Sequence, residues 1–277
     1  GLAIPLRFGQ SMHLRPHQGE HLIWTSLEAD GSPWFQATFH PGTGLLMEST
    51  DREVGFMLEK LLRAAPEDAR RSMLKSQHLR IQADFNRDWG LGSSATLVWL
   101  VASLLKTSPY PLLDASFGGS GYDLACAAAA GPIVYQRQEG KPSSTPVALT
   151  GDILDHLFFV YSGKKQNSRE GIHLYRSKKD SGSFSHEMNQ LSLELTKART
   201  VEAFGSCLQH IEERVRAHLL LNSLKDFFPD YPGILKPMGA WGGDFFLAFG
   251  PPEETRNYFT SKGFFPVWQA KEVILNY

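Results

Sequence analysis

The sequence predicts an α+β protein of two domains, and three features of the 277-residue chain carry that prediction. Strand-like alternation and helical periodicity follow each other in blocks, with pairs of helices between strands. Glycine-bearing segments lie at several of the changes from one pattern to the other. A polar segment with two prolines and a glycine, residues 139–146, divides the chain into residues 1–145 and 146–277. Strands that alternate with helix pairs favour an α+β sandwich over a doubly wound parallel sheet.

Composition and charge exclude several classes of function. The 28 basic and 29 acidic residues give a net charge of −1, so the chain has no general attraction to nucleic acid or to an anionic membrane. No run approaches the roughly 20 apolar residues that span a bilayer, and the N-terminus lacks the profile of a signal peptide. Cys126 and Cys207 form no disulfide framework, and the histidines lack the spacing of a zinc site. We expect a cytoplasmic protein in which any anion site is local.

The first half of the chain is predicted to begin as a sheet. Residues 3–15, 21–27 and 34–40 alternate like strands, and the turn residues between them make an antiparallel meander the simplest arrangement. The period then changes, because Arg52 to Ala64 has a broad apolar face typical of a helix. Residues 78–85 return to a strand that leads into the first glycine segment.

The remaining elements follow from the same two periods. After the first glycine segment, helices are predicted over residues 95–105, 109–117 and 120–130, followed by a strand over 132–136. The second half is predicted to contain strands over 157–161, 234–237, 245–249 and 267–275, and helices over 185–196, 200–222 and 253–262. We find no internal repeat and no low-complexity tract.

The first glycine segment, Trp89 to Ala95, reads WGLGSSA and lies between a strand and an apolar helix. Two glycines, two hydroxyls and a small residue suit a loop that wraps a phosphate in backbone N–H groups at a helix N-terminus. The alternative is an ordinary helix cap, in which Ser93 or Ser94 satisfies the first amides. The segment lacks the lysine of a Walker A loop.

Two further glycine segments have simpler readings when each is taken alone. Residues 118–123 read GGSGYD, where Asp123 in the first turn of a helix can simply favour the helix dipole. Residues 239–244 read GAWGGD, which by itself is an ordinary tight turn.

Together the three segments, in this order and about 30 and 120 residues apart, resemble motifs of the GHMP kinases. This superfamily includes galactokinase, homoserine kinase, mevalonate kinase and phosphomevalonate kinase. GLGSSA at residues 90–95 resembles the family's phosphate loop. Residues 120–135 resemble a segment of the mevalonate and phosphomevalonate kinase branch in which SGxD is followed by small residues and a strand with an aromatic residue. Residues 121–125 resemble a bacterial subgroup named for a Gly-Tyr-Asp-Ile-Ala segment. The implied fold has an N-terminal domain like domain 2 of ribosomal protein S5 and a C-terminal ferredoxin-like α/β sandwich.

The resemblance also implies roles for individual residues. Asp123 would accept the proton of the substrate hydroxyl, and the Ser94 hydroxyl would reach Mg²⁺. Asp114 is the candidate for the second Mg²⁺ ligand, although a surface or helix-end position suits it equally well. The nucleotide would be bound by Gly90, Leu91, Gly92, Ser93, Ser94, Ala95, Gly239, Gly242 and Gly243.

The sequence departs from the family at several points. The first family motif, a strand with a Gly-Glu pair and in mevalonate kinases a catalytic lysine, is expected upstream of Gly1. Arg87 either replaces that lysine or caps the loop from the solvent side. Asn86 replaces a proline that is frequent before the loop. Trp241 and Asp244 replace glycines, and the indole either crowds the acceptor site or packs beneath it.

The leading hypothesis is a kinase that transfers the γ-phosphoryl of MgATP to a small alcohol or a phosphorylated acceptor. Two alternatives stay open: a nucleotide-binding regulatory homologue without kinase activity, and an ATP-dependent decarboxylase of the mevalonate diphosphate type. The resemblance leaves a homodimer open and predicts no nucleic acid or membrane partner.

Overall fold

The computed structural model describes residues 1–138, 140–164, 168–178, 182–239, 241 and 243–275. The strands are β1 (Leu2–Ala3), β2 (Gln10–Pro16), β3 (Leu22–Leu27), β4 (Pro33–Phe39), β5 (Leu46–Ser49), β6 (Gln77–Ala83), β7 (Ile133–Gln138), β8 (Lys141–Pro146), β9 (Leu157–Tyr161), β10 (Ile234–Pro237), β11 (Phe245–Phe249) and β12 (Val267–Gln269). The helices are α1 (Arg52–Ala64), α2 (Glu67–Leu74), α3 (Ser93–Leu104), α4 (Pro109–Ala115), α5 (Tyr122–Ala127), α6 (Gly151–His156), α7 (Ser168–Ser177), α8 (Ser183–Lys197), α9 (Val201–Leu219), α10 (Pro252–Ser261) and α11 (Ala270–Val273).

The N-terminal half is built on a five-stranded sheet in the order β2-β6-β3-β4-β5. The predicted meander is therefore wrong in one respect, because β6 lies between β2 and β3 and pairs with β3 in parallel. One core covers the sheet, and it contains Trp24, Leu61 and Val98 among its fully buried side chains. Helix α3 contributes to this core and packs against α4 and α5, which fixes the helix that follows the first glycine segment.

The predicted strand over residues 3–15 is broken in the structure. Strand β1 pairs with β7, whereas residues 4–8 leave the sheets and pack Ile4, Leu6 and Phe8 against the core of the C-terminal half. The polar segment 139–146 is also not a bare linker, because residues 141–146 form β8 and pair with β7. The division of the chain at residue 145 stays a prediction that no longer rests on that segment.

The C-terminal half is built on an antiparallel sheet in the order β10-β11-β9-β12. One face packs against α6, α8 and α9 through a core that includes Phe159 and Leu247. The other face, with Phe158 and Phe246, packs against the aromatic side chain of Phe259 in α10. The strand predicted over residues 267–275 ends early, because Ala270–Val273 form a helix that starts with a capping box at Gln269.

Besides β8 and the helix Ala270–Val273, the structure contains four elements where the sequence predicted no element: β5, α2, α6 and α7. Within the described residues, no helix is both long and apolar enough to cross a membrane.

Candidate active site

The first glycine segment forms a tight turn that leads directly into α3. Gly90 has φ 63° and Gly92 has φ 77°, left-handed conformations that side chains with a Cβ rarely adopt. The helix begins at Ser93, and its N-cap residue is Gly92, which makes no side-chain capping bond. The alternative in which Ser93 or Ser94 is the N-cap residue is therefore wrong.

The next feature of the turn is its row of backbone N–H groups. The Gly92 carbonyl accepts the N–H groups of Ala95 and Thr96 at 3.0 and 3.1 Å. Among the described residues, the N–H groups of Gly90 through Ser94 donate to no protein acceptor. Amides at a helix N-terminus that have no internal partner bind anions readily, because the helix dipole favours negative charge at the same place.

The loop is anchored to the C-terminal half by its own apolar residues. Trp89 and Leu91 pack against the core that covers one face of the C-terminal sheet. The Trp89 ring meets the Trp268 ring edge-on, with centroids 4.9 Å apart. Trp268 stacks in turn on Phe245, the first residue of β11. The first glycine segment thus lies between the two halves of the chain.

Asp123 lies beside the second glycine of the loop. It occupies the first turn of α5, and a Cβ placed on Gly92 would lie 3.8 Å from the Asp123 Cβ. Asp123 is exposed to solvent, but neighbouring protein atoms desolvate the carboxyl enough to raise its pKa above 3.8. Asp123 makes no hydrogen bond or ion pair with the described residues. A carboxylate in this environment is available to accept a proton.

Two tyrosines hold α5 in this position. The Tyr122 hydroxyl donates to the Leu2 carbonyl, and burial raises the pKa of that hydroxyl. The Tyr135 hydroxyl donates to the Ser120 carbonyl at 2.5 Å, directly before the helix. The two rings are 6.0 Å apart in an edge-on arrangement. Because these bonds reach from β1 and β7 to both sides of the α5 N-terminus, they fix the direction of Asp123.

The third glycine segment reaches the loop from the C-terminal half. Gly239 is exposed and has φ 64°, whereas Gly243 lies so close to the Met238 carbonyl that a Cβ would be 2.2 Å from its oxygen. Gly242 lies outside the described residues. The carboxylate of Asp244 contacts Gly90, where a Cβ would lie 1.9 Å from Oδ2. The three glycine segments therefore meet at one place.

Trp241 lies in this segment and packs against α7. It has φ 58°, an unusual conformation for a residue with a side chain, and its indole stacks on Tyr175 of α7 with centroids 5.4 Å apart. The ring therefore joins the third glycine segment to α7.

The remaining candidate residues have mixed placements. The Ser94 side chain is exposed in the first turn of α3, whereas Ala95 is buried in the N-terminal core and offers its small size rather than a contact surface. Asp114 pairs with Arg137 at 3.2 Å, so its role as a metal ligand stays a prediction. Arg87 lies over the Trp34 ring at 4.0 Å and 3.7 Å from Glu28, which favours a structural role over replacement of a lysine.

Sequence reasoning missed Asp244 as a residue of the loop region. The signal was present, because Asp244 ends the third segment at a position where the resembling family has glycine. Ser162 was also missed: its N–H donates to the Asp244 carbonyl at 2.7 Å and its hydroxyl donates to the Gly243 carbonyl at 3.3 Å. Serine after a strand carries no specific pattern, so the sequence alone offered no signal for it.

Comparison with known proteins adds information on the fold. No protein-family model matches the sequence, and no curated protein matches it. Among solved structures, the Lin0012 protein from Listeria innocua is 12% identical at a TM-score of 0.69, with 96% of this chain and 90% of that chain covered. Phosphomevalonate kinase from Streptococcus pneumoniae is 16% identical at a TM-score of 0.64, with coverages of 96% and 93%.

A galactokinase from Lactococcus lactis, in complex with galactose, is 13% identical at a TM-score of 0.62, with 95% of this chain and 84% of that chain covered. A sugar kinase and a mevalonate-pathway kinase therefore match nearly the whole chain in structure while sharing few residues with it. The predicted fold class is confirmed: this chain has the α+β fold of the GHMP kinases.

Proposed function

We propose that this protein is an ATP-dependent small-molecule kinase, which transfers the γ-phosphoryl of MgATP to a hydroxyl or a phosphate of its acceptor. The observation that carries the proposal is the meeting of the three glycine segments at the N-terminus of α3. The N–H groups of Gly90 through Ser94 have no acceptor among the described residues, and both Asp123 and Asp244 adjoin the glycines of the same loop.

The residues present fit a nucleoside triphosphate. Phosphate oxygens would take the place of the acceptors that the loop amides lack, and the helix dipole of α3 would favour their charge. The exposed Ser94 hydroxyl would serve as a magnesium ligand in the first turn. When bound, Mg²⁺ would neutralise the negative charge that develops on the phosphates during transfer. Within the described residues, no group of three or more His, Cys, Asp or Glu could hold a metal ion alone.

Asp123 would orient the acceptor hydroxyl and take its proton. The closeness of the Asp123 Cβ to Gly92 supports this role, because the loop at Gly92 is where we propose that the phosphates bind. Burial raises its pKa toward the working pH, which improves a carboxylate as a general base. General-base help is worth about 10²- to 10⁴-fold, and positioning and charge stabilisation supply most of the rest.

The acceptor is proposed from the motifs. The segment around Asp123 resembles the mevalonate and phosphomevalonate kinase branch, which favours mevalonate or phosphomevalonate as the acceptor. The similarity in fold to a galactokinase keeps sugars among the compounds to test. Trp241 stands where the resembling family has glycine, and it stacks on Tyr175 beside the third segment. We expect this residue to limit the shape of the acceptor.

The test is a screen for ADP release from MgATP over mevalonate, phosphomevalonate, homoserine and galactose. The proposal expects acceptor-dependent ADP release that Asp123→Asn lowers by about 10²-fold or more. Nucleotide binding without ADP release for any acceptor would favour a regulatory homologue. Carbon dioxide released together with ADP would favour a decarboxylase.

A further inference from the structure

The face of the N-terminal sheet that points away from its core carries a group of basic side chains. Leu79 and Ile81 of β6 are buried in that core, and Leu14 of β2 packs against it. Side chains alternate along a strand, so the residues next to these three point to the opposite face. We call the following four of them the basic face: His13, Arg15, His78 and Arg80.

The register of β2 and β6 gives the spacing of the basic face. His13 is paired with Arg80. Arg15 is paired with His78. Directly opposite Cβ atoms in an antiparallel pair are about 5 Å apart, and residues i and i+2 of one strand are about 7 Å apart. The four side chains therefore start from the corners of a rectangle of about 5 by 7 Å, with the two arginines on a diagonal that long side chains can reach across.

Within the described part of the chain, the arginines of the basic face have no carboxylate partner. The side chains of Arg15 and Arg80 make no ion pair and donate no hydrogen bond to the described residues. Arg71 shows the contrast, because its guanidinium pairs with Glu67 at 2.5 Å on the surface of α2. The chain as a whole has 28 basic and 29 acidic residues, so the excess of positive charge is a local feature of this face rather than a result of composition.

His78 lies in the same excess of positive charge. Burial lowers the pKa of His78, and the positive charges of Arg80, His17 and Arg15 lower it further. Like charges directly opposite each other destabilise a sheet, so this arrangement is unfavourable until an anion binds. The His78 Nε2 atom lies 2.9 Å from Thr25 Oγ1, which holds the ring against β3.

The residue types on the basic face are those that bind phosphate. The planar guanidinium of arginine donates two parallel hydrogen bonds to a phosphate group, and imidazole N–H groups donate as well. Two arginines on the diagonal of a rectangle of about 5 by 7 Å are better matched by two linked phosphate groups than by one.

We propose that the basic face is a second phosphate site, which binds a small molecule that carries two or more linked phosphate groups. The site lies on the opposite face of the sheet from α3, whose Val98 is buried in the core, so it is separate from the first glycine segment. The inference goes beyond the proposed function and does not depend on it, because no step of the proposed phosphoryl transfer uses these four residues.

The experiment follows the imidazole C–H signals of His13 and His78 by NMR while inorganic pyrophosphate is added in EDTA at constant ionic strength. Spectra of His13→Gln and His78→Gln assign the signals. We expect saturable shifts of both signals, with a half-saturating concentration at least about tenfold lower for pyrophosphate than for inorganic phosphate, because only pyrophosphate engages both arginines. Arg80→Gln is expected to raise the half-saturating pyrophosphate concentration by about tenfold or more, because it removes one charged donor group.

The control variant is Arg71→Gln, which removes the exposed arginine that pairs with Glu67 and should leave the pyrophosphate titration unchanged. Arg15→Gln provides a second variant of the basic face, and thermal unfolding checks that each protein is folded. Shifts that do not saturate, or that are equal for the two anions, would overturn the inference and show the binding of counter-ions only. An unchanged half-saturating concentration in Arg80→Gln or Arg15→Gln would also overturn it, as would failure of both variants to fold, which would make the arginines structural.

Discussion

Substitution of Gly90 by alanine should weaken nucleotide binding as well as strain the backbone at a positive φ. Gly90 has φ 63°, and alanine in this conformation costs about 1–2 kcal/mol of stability. The added Cβ would also lie 1.9 Å from Asp244 Oδ2, so the carboxylate must retreat by about 1.5 Å to reach ordinary contact. Because the two groups border the phosphate loop, we expect MgADP to bind at least about tenfold more weakly.

Gly263→Ala is the matched control for this substitution. Gly263 also has a positive φ, of 83°, but a Cβ there meets no atom within 4 Å. Both variants should lose about 1–2 kcal/mol of stability in denaturant unfolding, whereas only Gly90→Ala should lose affinity in calorimetric titration with MgADP. Equal affinity of the two variants for MgADP would refute the reasoning that Gly90 must be bare because of its neighbours.

Three further substitutions test other parts of the structure. Desolvation raises the Asp123 pKa above its unfolded value of 3.8, so the folded state binds the proton more tightly and loses stability as pH rises through the folded pKa. Asp123→Asn should therefore be more stable than wild type at pH 7 but not below pH 3.8. Equal denaturant midpoints of the two proteins at pH 7 would contradict this. Arg70 is buried and donates to carbonyls at the end of α1 and to the Gly42 carbonyl. Arg70→Met should therefore lower the free energy of urea unfolding by about 2–4 kcal/mol, whereas Arg71→Met, which removes an exposed ion pair, should lower it by about 0–1 kcal/mol. Similar losses for the two variants would refute the capping role of Arg70. Trp241→Gly should change KM for the acceptor more than KM for ATP, and an unchanged acceptor KM would remove Trp241 from the specificity argument.

The glycine turn into α3 was readable from the sequence because its signals are local. Two glycines between an alternating segment and an apolar segment predict a turn into a helix, and the structure has α3 beginning at Ser93. The position of Asp123 in the first turn of a helix follows from the same kind of pattern. That these segments meet came from the order of the motifs and their resemblance to a family, since no local pattern specifies a contact between residues 90 and 244.

The strand order of the N-terminal sheet was not readable for the same reason. Alternation marks β2, β3 and β6 as strands, but it does not determine that β6 lies between the other two. Residues 4–8 alternate as a strand would, yet they pack on the C-terminal core, where Leu6 and Ile274 form an isolated antiparallel β-bridge. An alternating pattern indicates that one face of a segment is buried, but it does not specify which sheet or core covers that face.

Residues 139–146 were misinterpreted because edge strands and linkers share a composition. Strand β8 is the outer strand of its sheet and has mostly exposed side chains, with Lys141 and Pro142 at its start and Pro146 at its end. Proline and lysine protect exposed strand edges from further pairing, and the same residues are common in linkers. Composition alone cannot separate the two, whereas the pairing of Val134 with Thr145 does so at once.

The most direct test of the account is a calorimetric titration of the purified wild-type protein with MgADP. The account predicts saturable binding to one site for each chain, because the amides of Gly90 through Ser94 form a single phosphate cradle at the N-terminus of α3. Absence of binding at millimolar MgADP would contradict the central claim that the three glycine segments build a nucleotide site.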